Sequence, residues 1–253
     1  MLSDPFFYLV AAPAVMIVGL SKGGFAGLGV LGIPILSLAI SPVQAASIML
    51  PILIVQDAVG VWAFRKAYDS KTLRLMLPAA AVGITAGYLL AALVRPAAIE
   101  LAVGLIAFGF GVQRLWADRA IEAAVKEGPH AWVGFLCGVV SGFTSQIAHA
   151  GGPPFQVYAL SKRFERDVFI GTSSIFFAAV NWLKVPAYFA LGQFTRENLL
   201  TSLALFPLAL LSTWLGVLLV RKVSKARFYR FCYTLLLLLG VKLIWDGGRG
   251  LLA

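Results

Sequence analysis

Residues 21–34 read SKGGFAGLGVLGIP and residues 141–154 read SGFTSQIAHAGGPP. Each is dense in glycine and closes on proline. Glycine frees the backbone and proline removes a donor, so both stretches predict helix breaks rather than continuous helices. Ser21, Gly32 and Pro34 fall into register with Ser141, Gly152 and Pro154 at one fixed offset, and Pro78, Gly87 and Gly111 with Pro207, Gly216 and Gly240 at another. GVQRLW at 111–116 also matches GVKLIW at 240–245. Apolar segments can resemble each other by chance, but the matches come in the same order, which argues for two related halves. These are residues 1–116 and 130–253, joined by a linker over 117–129.

The solvent for such a chain is a bilayer. Of 253 residues 60% are hydrophobic and 13% charged, far more apolar surface than a water-soluble domain of this size needs. Runs bounded by charge, Gly or Pro give ten segments: 5–21, 24–40, 44–64, 73–94, 97–116, 130–147, 150–160, 168–190, 198–220 and 228–246. Long runs such as Tyr233 to Leu239 lack the period-2 alternation of a membrane barrel. The fold class expected is therefore an all-α polytopic helical bundle of two inverted repeats, each starting with a broken or re-entrant helix. Ten crossings, or six crossings with two re-entrant hairpins, fit equally.

The formal charge of +10 does not indicate nucleic acid, because the basic residues sit in short loops between apolar runs. Numbered by segment, the odd loops hold Lys22; Arg65, Lys66, Lys71 and Arg74; Arg119 and Lys126; Lys162, Arg163 and Arg166; and Arg221, Lys222, Lys225 and Arg227. The even loops and tails hold Arg95, Arg196 and Arg249. The positive-inside rule places the odd loops and the 117–129 linker in the cytoplasm and both termini outside. Five segments per half make the second half enter from the opposite side, as in many secondary transporters. If the Gly-rich pairs are re-entrant, Lys22 is buried instead. Asp4 precedes the first run with no Lys or Arg, unlike a cleaved signal peptide, so that segment is expected to be retained.

A broken helix exposes unpaired N–H groups at the positive end of its dipole, an anion site without charged side chains. Two breaks from opposed halves should meet near the midplane. One wall would come from Ser21, Lys22, Gly23 and Gly24, the other from Ser141, Thr144, Ser145, Gln146, His149, Gly151 and Gly152; the alternative is that the glycines only permit close helix packing. Gln56 and Asp57 lie deep in the third segment, and Asn181 and Lys184 deep in the eighth. Burying a charge in lipid is costly, so these side chains should face a cavity or each other, and Asp57 with Lys184 is the expected pair. Asp57 is also the candidate proton carrier. Alternatively the pair is purely structural, and His149 a satisfied core residue. Cys137 and Cys232 read as small core residues. No metal-ligand cluster, P-loop, nucleophile elbow or paired-Cys motif occurs, so no metal or cofactor is expected.

The paired stretches at 21–34 and 141–154, each opening a half and followed by apolar helices, resemble the sulfite and organosulfonate exporter family TauE/SafE, and the resemblance covers essentially the whole chain. The second stretch departs from the glycine-rich pattern at Gln146, His149 and the double proline. The resemblance implies a transporter of the bacterial cytoplasmic membrane that exports a small organic or inorganic anion, sulfite or an organosulfonate; lipid is the other expected partner, and protons are the candidate coupling ion through Asp57. A Lys and polar donors on broken helices agree with an anionic substrate. A passive anion channel is the first alternative and an intramembrane enzyme the second; no nucleophile, base and orienter stand together.

Overall fold

A computed structural model of the protein describes residues 4–24, 28–93, 95–116, 130–219 and 226–252. The linker expected over 117–129 and the basic loop residues 221–225 lie outside the described residues. No strand occurs among the described residues. The helices are α1 (Pro5–Lys22), α2 (Gly32–Leu36), α3 (Pro42–Phe64), α4 (Ser70–Leu93), α5 (Pro96–Trp116), α6 (Ala131–Ala148), α7 (Gly152–Ser161), α8 (Arg166–Ala190), α9 (Arg196–Leu219) and α10 (Ala226–Leu252), with a 3₁₀ turn over Leu28–Leu31 leading into α2.

The helix starts are legible in local chemistry. Asp4 Oδ1 accepts the Phe6 N–H at 3.0 Å, and Ser41 Oγ accepts the Gln44 N–H at 3.3 Å. Proline follows each cap at the first helical position, where no N–H is needed. Within the helices hydroxyls are satisfied locally: Ser47, Thr85, Thr201 and Thr213 each donate to the carbonyl four residues back. That is how polar side chains survive where water is absent.

Seven of these helices are long and apolar enough to cross a membrane: α1, α3, α4, α5, α6, α8 and α9. Their outer surfaces carry large apolar side chains, among them Leu9, Trp62, Leu93, Trp182 and Phe189, while Gln56, Asp57, Ser145, Asn181 and Lys184 are buried. Neither of the expected segments 24–40 and 150–160 holds a helix long enough to cross by itself. At ~1.5 Å per residue, α2 rises about 7 Å and α7 about 15 Å, well short of the ~30 Å hydrocarbon layer. The two breaks also differ. At the first, α1 ends at Lys22 and the chain is next described in the 3₁₀ turn Leu28–Leu31, whereas in the second the helix continues through 141–148 and breaks only at 149–151. FTSQIAHA at 143–150 contains no glycine, so nothing stops α6 until His149 turns left-handed at φ 49°.

The packing has the pattern expected of two exchanged halves. With α1–α5 matched to α6–α10, α5 packs on its counterpart α10 and α3 on its counterpart α8, while α1 on α9 mirrors α6 on α4, and α3 on α9 mirrors α8 on α4. Counterparts run antiparallel, as inversion requires. Along α5 and α10, Gly104 approaches Leu243 while Gly111 approaches Leu237; Gly171 near the start of α8 abuts Ala67 just beyond the end of α3. The matched residues Pro78 and Pro207 fall inside the counterparts α4 and α9, and Gly32 and Gly152 open α2 and α7.

Glycine creates the tightest contacts. A Cβ at Gly23 would lie 2.5 Å from Gly216 Cα, and one at Gly142 2.0 Å from the Ala80 carbonyl oxygen. These backbones touch, as close helix packing at Gly23 and Gly142 requires.

The ends of the bundle are distinct. Thr172 Oγ1 near the start of α8 accepts the Asp69 N–H at 2.8 Å, so the α3–α4 and α7–α8 loops, bearing Arg65, Lys66, Lys162 and Arg163, share one end. At the other, Ser47 and Gln44 near the start of α3 bond Gln193 of the α8–α9 connection and Asn198 in the first turn of α9, respectively.

Candidate functional site

The last turn of α1 projects Lys22 inward. Its Nζ lies 2.6 Å from Asp57 Oδ1 in α3, with Lys22 16% and Asp57 3% exposed. Asn181 Nδ2, from α8, donates to the other Asp57 oxygen at 2.5 Å. Both carboxylate oxygens are thereby occupied, and α1, α3 and α8 are tied together at mid-bundle. Lys22 is therefore not a loop charge and leaves the count of basic loops; the remaining odd loops still carry the excess.

The expected pair of Asp57 with Lys184 does not form. Lys184, fully buried, donates to Ser145 Oγ at 3.1 Å, the Ser145 carbonyl at 3.2 Å and His149 Nδ1 at 2.6 Å. Lys184 lies three residues beyond Asn181, which puts it one helical turn along α8 toward the far end of the bundle, where α6 supplies its partners. Three acceptors match the three N–H groups of an ammonium. His149 Nε2 meets the Ala46 carbonyl at 2.9 Å; the network assigns the neutral tautomer with its proton on Nε2, leaving Nδ1 to accept from Lys184. The ring stacks on Tyr188 with centroids 5.9 Å apart.

A cavity with about 750 Å³ of empty space opens beside Lys22, lined by residues of α1, the 28–31 turn, α3, α6, α7 and α8. Of the sequence-derived candidates, Ser21, Lys22, Gly24, Ser145, His149, Gly152 and Asn181 line it; Gly23, Gln56, Asp57, Ser141, Thr144, Gln146, Gly151 and Lys184 do not. The latter have other employment. Ser141 Oγ donates to the Gly151 carbonyl at 2.7 Å and Thr144 Oγ1 to that of Ala150 at 3.1 Å, fastening the break. Gln56 turns toward the Val15 carbonyl. Lys22 is the one charged side chain on the wall, and the Phe177 ring lies 5.2 Å from its Nζ.

Backbone donors contribute less than the sequence suggests. Pro153 and Pro154 occupy the second and third positions of α7 and have no N–H, and the Phe155 N–H is already bonded to Gly151 O at 3.4 Å. Few orphan donors remain at that helix start. Polar side chains stand on the wall instead, including Gln156, Ser173 and Ser174, which were not among the sequence-derived candidates. The signal was present: Ser174, Phe177, Asn181 and Lys184 recur at helical three-and-four spacing.

Residues 11–243 match the family described as sulfite exporter TauE/SafE. The chain belongs to this family. No curated protein and no solved structure gives a significant match. TauE/SafE proteins are transporters rather than enzymes, and in this member the helix breaks before α2 and before α7 both border the Lys22 cavity.

Proposed function

We propose that this TauE/SafE protein is a secondary transporter that exports sulfite or an organosulfonate from the cytoplasm, and that the cavity beside Lys22 is its substrate site. The observation that carries this reading is the disposition of Lys22: a partly buried ammonium, held by Asp57, forms the charged point of an otherwise neutral wall. Ser21, Ser145, Gln156, Ser173, Ser174 and Asn181 surround that wall with groups able to hydrogen-bond oxyanion oxygens. The family description supports sulfite as the first substrate to test. Basic loops gathered at the α7–α8 end support a cytoplasmic position for that end, in a bacterial inner membrane, with both termini outside. Asp57, already shared between Lys22 and Asn181, is the proposed proton carrier for coupling.

The test is a thermal-shift series on purified protein with sulfite, thiosulfate, short sulfonates and short carboxylates. The true ligand raises the midpoint in a concentration-dependent way. The neutral double variant Lys22→Gln/Asp57→Asn, which leaves neither charge stranded, loses that shift. A shift by none of these anions contradicts the proposal.

A further inference from the structure

A second cavity, with about 540 Å³ of empty space, lies on the other side of Lys184. Its wall includes Val43 at the start of α3, Leu90 and Ala98 flanking the α4–α5 turn, and Gln193 after α8. These positions belong to the end of the bundle opposite the α7–α8 loop. The first cavity reaches toward that loop through Phe169, Ile170 and Gln156. The linings of the two cavities thus extend toward opposite ends of the bundle.

One face of α8 lines both. Ile170, Ser174, Phe177 and Asn181 face the first cavity; Tyr188 and Leu191 face the second. Lys184 continues the same three-and-four spacing between Asn181 and Tyr188 and is fully buried. Asn181 and Tyr188 are separated by about 10 Å along the helix at ~1.5 Å per residue, so the partition is thin. Its other members also touch both sides. His149 faces the first cavity, while its bonding partner Ala46 and its stacking partner Tyr188 face the second. On α6, Ser145 faces one and its neighbour Gln146 the other. Gln146 is 4% exposed, and its buried Oε1 lacks a hydrogen-bond partner.

We propose that the two cavities are successive compartments of one path and that Lys184 is a second binding station for a small oxyanion, at the septum between them. Among the described residues no carboxylate lies within ion-pair distance of Lys184, and its three bonds go to neutral acceptors. In its protonated form, a side chain so held would lack a counter-charge. An oxyanion leaving Lys22 supplies one: it takes the Lys184 N–H groups from His149 and Ser145, and the released His149 ring opens the contact with Tyr188. The partition closes when Lys184 rebinds His149. The inference rests on the proposed anion site at Lys22 and extends it by naming the next residue on the route.

The test combines accessibility with transport. In a background with Cys137 and Cys232 replaced by Ala, Ser173→Cys and Ala98→Cys report on the first and second cavities. A charged methanethiosulfonate should modify Ser173→Cys only from the side bearing the α7–α8 loop, and Ala98→Cys only from the opposite side. Lys184→Met should lower sulfite efflux from proteoliposomes about tenfold or more while leaving the sulfite-induced thermal shift in place, since the first site remains. Lys184→Arg, which keeps the charge, should recover part of the efflux. Modification of Ala98→Cys only by a lipid-soluble maleimide would make the second cavity a lipid-facing pocket and overturn the proposal, as would wild-type efflux by Lys184→Met. If Lys184→Met does not fold, the two cysteines decide alone. Loss of any sulfite shift in the unmodified protein would instead count against the Lys22 site, which the cysteine pattern does not depend on.

Discussion

Lys22, the last residue of α1, reaches Asp57 in the middle of α3 at 2.6 Å. The contact places a cation at the edge of a cavity while its counter-ion stays in the protein, and Asn181 fixes that counter-ion from the third side. An anion entering the cavity therefore meets an ammonium whose position is already set.

Removing one member of this pair leaves the other charge stranded at mid-bundle. Lys22→Met and Asp57→Asn should each destabilise by about 3 to 5 kcal/mol, and the double variant by less than their sum. Midpoints of thermal or denaturant unfolding in detergent supply the cycle; strict additivity would show that the two charges do not interact.

Lys184 bonds to Ser145 and His149 rather than to Asp57. In the same measurement the coupling between Lys184→Met and Asp57→Asn should be smaller than that between Lys22 and Asp57. A Lys184–His149 cycle should show about 0.5 to 3 kcal/mol. The reverse ranking would place the acid's partner wrongly.

At Gly142 a side chain has no room, since a Cβ would sit 2.0 Å from the Ala80 carbonyl oxygen; at Gly248 nothing lies within 4 Å. Gly142→Val should separate α6 from α4 and lower stability by about 1 to 3 kcal/mol or more. Gly248→Ala should be neutral or raise stability by up to about 1 kcal/mol through helix propensity. Equal effects would mean that these helices are not in backbone contact.

Sidedness is read with single cysteines. Ser70→Cys and Lys162→Cys should be shielded from an impermeant thiol reagent outside intact cells, and Arg196→Cys should be labelled. Labelling of either shielded position would reverse the proposed orientation.

The fold was largely legible because its determinants are periodic and compositional. Apolar runs gave the long helices, and the packing is consistent with the two halves that the ordered glycine and proline matches suggest. The lengths of the broken segments were not legible: α2 and α7 are apolar enough to belong to a membrane, and only the geometry of residues 28–36 and 149–161 makes them short. Residue type picked out Lys22, Ser145, His149 and Asn181, which line the first cavity, because polar groups at depth must have partners. The partner of Asp57 was not legible, because Asn181 takes its second oxygen and Lys184 lies a turn further along α8. Gln56 and Asp57 are neighbours about 100° apart on one helix, so one turns to the Val15 carbonyl and the other to Lys22. Asp57's choice between two lysines depends on how far α1 and α8 carry each ammonium, a tertiary quantity that spacing along one helix does not contain.

Sulfite efflux from proteoliposomes tests the central claim most directly, comparing unmodified protein with Lys22→Gln/Asp57→Asn at equal reconstitution. Efflux above protein-free liposomes is predicted for the unmodified protein, saturating with internal sulfite, and a fall of about tenfold or more for the neutral pair. Efflux by the neutral pair at the unmodified rate would contradict an anion path through Lys22.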